Sequence, residues 1–130
     1  MKKRALILVD HGSVKQGAND MLIDVVNMVR ENTEGFHVVT YAHMELAEPT
    51  IKQAFDACVA EGAEEVIIHP YFLAPGRHST QDIPRMVKEA AKKHPHVAFS
   101  VTEPLGLHPK ICEVVLERAR EGMEPKSGSS

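Results

Sequence analysis

Four short apolar runs alternate with longer segments of helical periodicity, and this alternation limits the fold more than any other feature of the chain. The runs predicted as strands cover residues 4–9, 36–42, 65–72 and 97–103. The helical segments that follow them cover about residues 16–32, 48–62, 82–93 and 109–122. A strand–helix repeat of this kind predicts a parallel sheet with right-handed crossovers and helices on both faces. We expect a single three-layer α/β/α domain whose four strands have the order 2-1-3-4.

The length and composition of the chain indicate one domain. At 130 residues it can bury about two-thirds of the surface that it exposes when unfolded, so it needs no metal or disulfide to fold. We expect the domain to cover residues 1–123 and the polar segment 124–130 to be disordered. Cys58 and Cys112 fall in helical segments and are expected to be small core residues in a reducing compartment.

Charge and hydropathy exclude several kinds of partner. The basic start of the chain is followed by an apolar run of only about five residues, too short for a secretory signal or a membrane span. A formal net charge of -3 with few aromatic side chains gives no sign of nucleic-acid binding. These features predict a cytoplasmic protein, or a mature organellar one, without a membrane or nucleic-acid partner.

His11 comes just after the first apolar run and precedes a glycine and a serine. In open α/β sheets, ligands bind beyond the carboxyl ends of the strands, so this histidine is expected to face the binding crevice. Gly12 permits a tight turn, Ser13 offers a hydroxyl group, and Asp10 is expected to orient the His11 ring. A capping turn with an incidental histidine fits the same four residues equally well.

A second histidine, His78, lies in the polar segment that follows the third strand. Strands one and three flank the switch point of the expected sheet, so His78 should lie near His11. Arg77 suits carboxylates through its planar guanidinium group, and the start of the next helix favours anions. An ordinary solvated loop is the alternative. Two histidines at neighbouring strand ends favour a transition-metal site.

Glu45 follows the second strand and is a candidate third ligand. His43 and Glu45 are two residues apart, which on a strand puts both on one face. Two histidines and a glutamate suit divalent iron, cobalt, nickel or zinc. We nevertheless expect His43 to be a packed strand-end residue and Glu48 to serve the start of the second helix.

The remaining histidines have simpler interpretations. His69 lies inside an apolar strand and is expected to be a hydrogen-bonded core residue. His108 either lines the crevice or caps the last helix. Three others are expected at the surface, at the boundaries of helices and strands: His37, His94 and His96.

Several segments, taken in order, resemble the class II tetrapyrrole chelatases, specifically the short single-domain sirohydrochlorin chelatases. They are residues 7–13, 45–51, 70–78, 82–84 and 104–106. The resemblance spans about residues 4–120 and implies insertion of Fe2+ or Co2+ into sirohydrochlorin, on the route to siroheme or cobalamin. It also implies that His11, Glu45 and His78 hold the metal. Because a neutral histidine accepts a proton near pH 7, we expect His11 and His78 to take the pyrrole protons as well.

The implied substrate is a polycarboxylate macrocycle, so hydrogen-bond donors are expected at the rim of the crevice. The candidates are Ser13, Arg77, Ser79 and Thr80. The metal is then a substrate and not a permanently bound cofactor, and Ni2+ is expected to bind in vitro as well.

Two departures from the family pattern refine the expectation. Many members have a glycine where this chain has Asp10, and the aspartate form looks like the iron-inserting plant-type enzymes. Those enzymes also carry a cysteine-rich extension for an iron–sulfur cluster, and with only 2 cysteines in this chain no cluster is expected. Long members contain two such domains in tandem, so a single domain is expected to form a homodimer.

Two other functions fit some of the same residues. A non-catalytic carrier of a metal or tetrapyrrole would use the same histidines without accelerating insertion. A phosphoryl-transfer enzyme would use His11 as a nucleophile, with phosphate at a helix N-terminus. The sequence has no arginine directly before His11 and no glycine-rich phosphate loop, and a small phosphate ester does not require Glu45. We therefore favour the chelatase.

Overall fold

The computed structural model describes residues 2–124, and within them four strands alternate with four α-helices. The strands are β1 (Arg4–Asp10), β2 (Val38–His43), β3 (Glu65–Pro70) and β4 (Ala98–Val101). The helices are α1 (Gln16–Glu31), α2 (Ile51–Ala60), α3 (Ile83–Ala91) and α4 (Pro109–Met123), and a π-helical turn (His78–Asp82) leads into α3. The segment predicted to be disordered lies outside the described residues, apart from Glu124. None of the described helices is both long and apolar enough to cross a bilayer.

All four strands are parallel, and their order β2-β1-β3-β4 confirms the prediction. β1 is central and pairs with β2 on one side and β3 on the other. The carboxyl ends of these three strands are aligned, because Asp10 is opposite His43 and Val9 is opposite Pro70. The strand order reverses between β1 and β3, because β2 lies on one side of β1 and β3 lies on the other. Open α/β sheets bind ligands at such a switch point, beyond the carboxyl ends of the strands.

Different helices cover the two faces of the sheet. α2 and α3 pack on one face, where Ile7, Ile68 and Phe55 are fully buried. α1 packs on the opposite face, where its Leu22 belongs to the same buried cluster as Leu8 of β1. Ile7 and Leu8 enter different clusters because successive residues of a strand point to opposite faces.

α4 departs from the predicted packing. None of its 15 residues is buried, so it covers neither face of the sheet. The prediction that both cysteines are core residues is wrong for Cys112, which is exposed on α4. It is confirmed for Cys58, whose burial raises the pKa of the thiol to about 11. The helical periodicity identified α4 but could not tell whether its own sheet covers it.

Candidate metal centre

The three loops that follow β1, β2 and β3 meet at the carboxyl edge of the sheet. They carry His11, Glu45 and His78, the three predicted metal ligands. Nε2 of His11 lies 3.6 Å from Oε1 of Glu45. The rings of His11 and His78 meet edge to face, with their centroids 4.9 Å apart. The fold therefore brings the three side chains together, with His11 between the other two.

These side chains are open to solvent. The exposed fractions are 43% for His11, 54% for Glu45 and 52% for His78. Between residues 2 and 124, no three histidine, cysteine, aspartate or glutamate side chains already form a set of metal ligands. Side-chain rotation is needed to converge on an ion, and exposed side chains are free to make it. An open site of this kind leaves coordination positions for a second ligand.

Gly12 allows the loops after β1 and β2 to come this close. Its φ is +95°, and a Cβ added there would lie 1.9 Å from the carbonyl oxygen of Glu45. The backbone N–H of Met44 donates to the carbonyl of Asp10 at 2.9 Å, and that of Glu45 donates to the carbonyl of His11 at 3.1 Å. These two hydrogen bonds join the loops into one wall of the crevice.

The prediction that Asp10 orients the ring of His11 is wrong. Oδ1 of Asp10 lies 2.6 Å from Nδ1 of His43, whose side chain is only 1% exposed. The carboxylate reaches across to β2 because Asp10 and His43 are opposite each other in the parallel register. His43 is thus the packed strand-end residue that was expected. Glu45 does not share its face, because β2 ends at His43 and the Glu45 side chain is exposed.

His78 starts a helix, whereas the sequence predicted a loop at this position. The N–H of Ile83 bonds to the carbonyl of His78, which is the five-residue spacing of a π-helix. Oδ2 of Asp82 lies 3.2 Å from Nδ1 of His78, and its other oxygen, Oδ1, lies 3.4 Å from Arg85. Asp82 therefore orients the candidate ligand, a role that the sequence analysis missed. The sequence signal was the spacing of four residues between the histidine and the aspartate. This spacing predicts a side-chain contact only if both residues lie on one helix, and the sequence did not predict that the helix starts at His78.

The hydroxyl groups predicted at the rim make hydrogen bonds within their own loops. Ser79 is buried, and its Oγ donates to the carbonyl of Gly76 and accepts from the N–H of the same residue. Ser79 is therefore inside the loop and not at the rim. Thr80 is exposed and donates to the Gly76 carbonyl at 2.7 Å, and Oγ of Ser13 accepts from a backbone N–H at 3.0 Å. Arg77, which precedes Ser79 and Thr80 in the same loop, is exposed.

One of the other histidines, His108, behaves as expected, whereas His69 makes the expected hydrogen bond but is not a core residue. His69 is half-buried, and its Nδ1 lies 2.9 Å from Oγ1 of Thr102. Burial disfavours its charged form and lowers the pKa of the ring. His108 caps α4, because its Nδ1 accepts a hydrogen bond from the N–H of Lys110. Neither residue belongs to the group around His11.

His94 differs from the surface residue that was expected. Its Nε2 lies 2.7 Å from Oδ1 of Asp56, and its ring stacks on Phe55 with the centroids 5.7 Å apart. It links α2 to the end of α3. His37 and His96 are exposed, as predicted.

The four-stranded parallel sheet, with histidines at its switch point, has the architecture of the class II chelatases. Residues 5–122 match the CbiX family, and the chain belongs to that family. This membership confirms the family resemblance that the sequence motifs indicated.

Individual relatives agree with this assignment. The chain is 43% identical to sirohydrochlorin ferrochelatase, chloroplastic, of Arabidopsis thaliana, over 96% of this chain and 55% of that protein. It is 31% identical to sirohydrochlorin cobaltochelatase of Methanocaldococcus jannaschii, over 88% of this chain and 96% of that one. The crystal structure of the sirohydrochlorin chelatase SirB from Bacillus subtilis subspecies spizizenii, in complex with cobalt, superposes with a TM-score of 0.85 at 28% identity. That match covers 92% of this chain and 50% of SirB, so the chain spans about half the length of some relatives.

Proposed function

We propose that this protein inserts a divalent metal, Fe2+ or Co2+, into sirohydrochlorin. The observation that carries the proposal is the meeting of His11, Glu45 and His78 at the switch point of a CbiX-family sheet. Relatives named as sirohydrochlorin ferrochelatase and cobaltochelatase support this substrate. Iron is favoured because identity is 43% to the ferrochelatase of Arabidopsis thaliana and 31% to the cobaltochelatase of Methanocaldococcus jannaschii.

In the proposed reaction the metal ion and the macrocycle are both substrates. The ion binds to His11, His78 and Glu45, and its other coordination positions remain open to the pyrrole nitrogens. Bonds from the metal to those nitrogens form as the protein ligands are released, and the pyrrole N–H protons leave. A neutral imidazole is a suitable acceptor for them near pH 7, so His11 and His78 serve both as metal ligands and as acceptors of the pyrrole protons.

The carboxylates of the macrocycle need donors around this centre. We propose that Arg77 binds them through its guanidinium group and that the half-buried Ser13 donates its hydroxyl proton to them as well. The exposed Thr80 would join them once its hydroxyl group releases the carbonyl of Gly76. Ser79 is left out of this set because its hydroxyl group is buried.

The homodimer is also part of the proposal. The chain matches 50% of the length of SirB from Bacillus subtilis subspecies spizizenii, so two copies have about the length of that protein. Ni2+ binding in vitro, the lack of an iron–sulfur cluster and the cytoplasmic location stay predictions.

Metal insertion is tested by mixing the protein anaerobically with sirohydrochlorin and Fe2+ or Co2+ and following the visible spectrum. We expect insertion well above the protein-free rate, lost in His11→Ala and in His78→Ala. His96→Ala is the matched control, because His96 is exposed just before β4 begins, at the opposite edge of the sheet. A wild-type rate equal to the protein-free rate would reject catalysis. A spectral shift without insertion would instead indicate a carrier.

A further inference from the structure

The apolar side of α4 has no cover in a single copy of the chain. Residues spaced three and four apart form one stripe along this helix: Ile111, Cys112, Val115, Leu116, Ala119 and Met123. Val115 is 60% exposed and Leu116 is 48% exposed. A lone helix of 15 residues is marginal in water, because helices in proteins are stabilised mostly by packing. The stripe therefore needs a partner surface.

The sheet face that α1 covers has an apolar groove beside that helix. Side chains from β1, β3, α1 and the segment after β4 line a volume of about 450 Å³. We call this the α1-side groove, and its apolar lining includes Leu6, Leu8, Val25, Val29, Ile67 and Leu105. Within residues 2–124, α4 contributes nothing to this lining. Each copy thus has an open apolar groove and an uncovered apolar helix.

The segment between β4 and α4 keeps the helix away from the groove of its own copy. The N–H of Leu105 donates to the carbonyl of Phe72 at 3.0 Å, which holds the chain at the carboxyl edge of the sheet. Gly106 then has a φ of +58°, and the side chain of Leu107 is completely exposed. The chain turns outward at this glycine, in the manner of a hinge in proteins that exchange an element between copies.

We infer that two copies exchange their C-terminal helices, so that α4 of each copy fills the α1-side groove of the other. This inference rests on the homodimer proposed above and names its contact. A reciprocal exchange covers both apolar surfaces of both copies at once, because a two-fold contact is self-complementary. The charged side of α4 stays in water in this arrangement.

The contact area agrees with a specific dimer. A helix of 15 residues is about 22 Å long and about 10 Å wide, so each stripe covers about 220 Å². Two helices and two grooves each lose this surface on exchange, about 900 Å² in total. That value is close to the roughly 1,000 Å² that a specific interface requires.

Light scattering on the full chain tests the exchange. We expect a mass twice the 14.4 kDa of one chain. Val115→Asp places a charge in the stripe of both copies and should raise the dissociation constant at least about a hundredfold. Val114→Asp is the matched control, because Val114 is also exposed on α4 but lies outside the stripe. It should remain a dimer.

A variant of the groove distinguishes helix exchange from a dimer in which the two α4 helices pack against each other. Val29→Asp should also give a monomer, with circular dichroism showing that it remains folded. A mixture of the Val115→Asp and Val29→Asp proteins should form more dimer than either variant alone at the same total concentration, since one intact helix then meets one intact groove. A monomeric wild-type protein would overturn the inference, and so would a dimer that persists in either single variant. Metal insertion, measured by spectrum on the same samples, distinguishes failure of the exchange from failure of the proposed chelatase activity.

Discussion

Gly12→Ala tests how the candidate site is assembled. The added Cβ would lie 1.9 Å from the carbonyl oxygen of Glu45, and a φ of +95° is unfavourable for alanine. Rotation of a side chain relieves neither problem, because both involve the backbone. The loop after β2 must therefore move away from β1 and carry Glu45 away from His11.

The cost follows from the contacts that this movement breaks. The strained φ costs about 1–2 kcal/mol. The two hydrogen bonds between the loops, from Met44 to Asp10 and from Glu45 to His11, contribute about 0.5–1.5 kcal/mol each. We expect the free energy of unfolding to fall by about 2–5 kcal/mol, a large part of the roughly 5–15 kcal/mol of a typical domain.

Urea unfolding measures this loss, and titration with Co2+ measures the accompanying loss of metal affinity. Gly76→Ala is the matched control in the loop before His78, because a Cβ there has no atom within 4 Å. Alanine at that position should leave the free energy of unfolding unchanged or raise it by about 0.4–1 kcal/mol, because alanine reduces the conformational entropy of the unfolded chain. Equal stability of the two variants would refute the reasoning that the wall of the crevice depends on Gly12.

Three further predictions concern the hydrogen-bonded histidines. Asp82→Ala frees the ring of His78 and should lower metal affinity about 10- to 100-fold at an unchanged melting temperature. Titration with Co2+ measures this affinity, and Asp82→Asn should lower it less than Asp82→Ala does. Asp10→Ala leaves the buried His43 unpaired and should cost about 1–3 kcal/mol in urea unfolding; a cost no larger than that of Asp10→Asn would contradict the Asp10–His43 bond. The pKa of His69 is lowered in the folded protein by burial, so its contribution to stability is present above the unfolded value of about 6.5 and is lost as the pH falls below it. Unfolding free energies at pH 7.5 and 5.5 should therefore differ less in His69→Gln than in the wild type.

The fold and the meeting point of the ligands were predictable from the sequence. Alternating apolar runs and helical segments determine a parallel sheet, and the strand order puts the ends of β1 and β3 side by side. His11 and His78 could be assigned to one crevice because each follows one of these strands. The orientation of their rings could not be predicted, because it depends on the positions of neighbouring side chains in the folded structure.

Asp10 and Asp82 show what the sequence leaves open. Asp10 bonds His43 across two strands, and that partner follows from the register and not from sequence distance. Asp82 reaches His78 because the helix begins with a π-turn, whereas the proline that follows suggested a later start. The packing of α4 was unpredictable for a different reason, since an amphipathic stripe shows that a partner is needed without identifying it.

The two sides of the crevice differ in how they are attached. His11 and Glu45 stand on loops joined by backbone hydrogen bonds, so the separation of their backbones is determined when the sheet folds. His78 stands on a turn whose hydroxyl groups bond to its own Gly76. No backbone hydrogen bond of the described residues joins that turn to the other two loops, so we expect a change in ion size to alter the position of His78 before it alters the other two loops. A crevice with one fixed wall and one adjustable wall accommodates ions of different radius without rebuilding its core, which is how one scaffold could serve relatives named for iron and for cobalt.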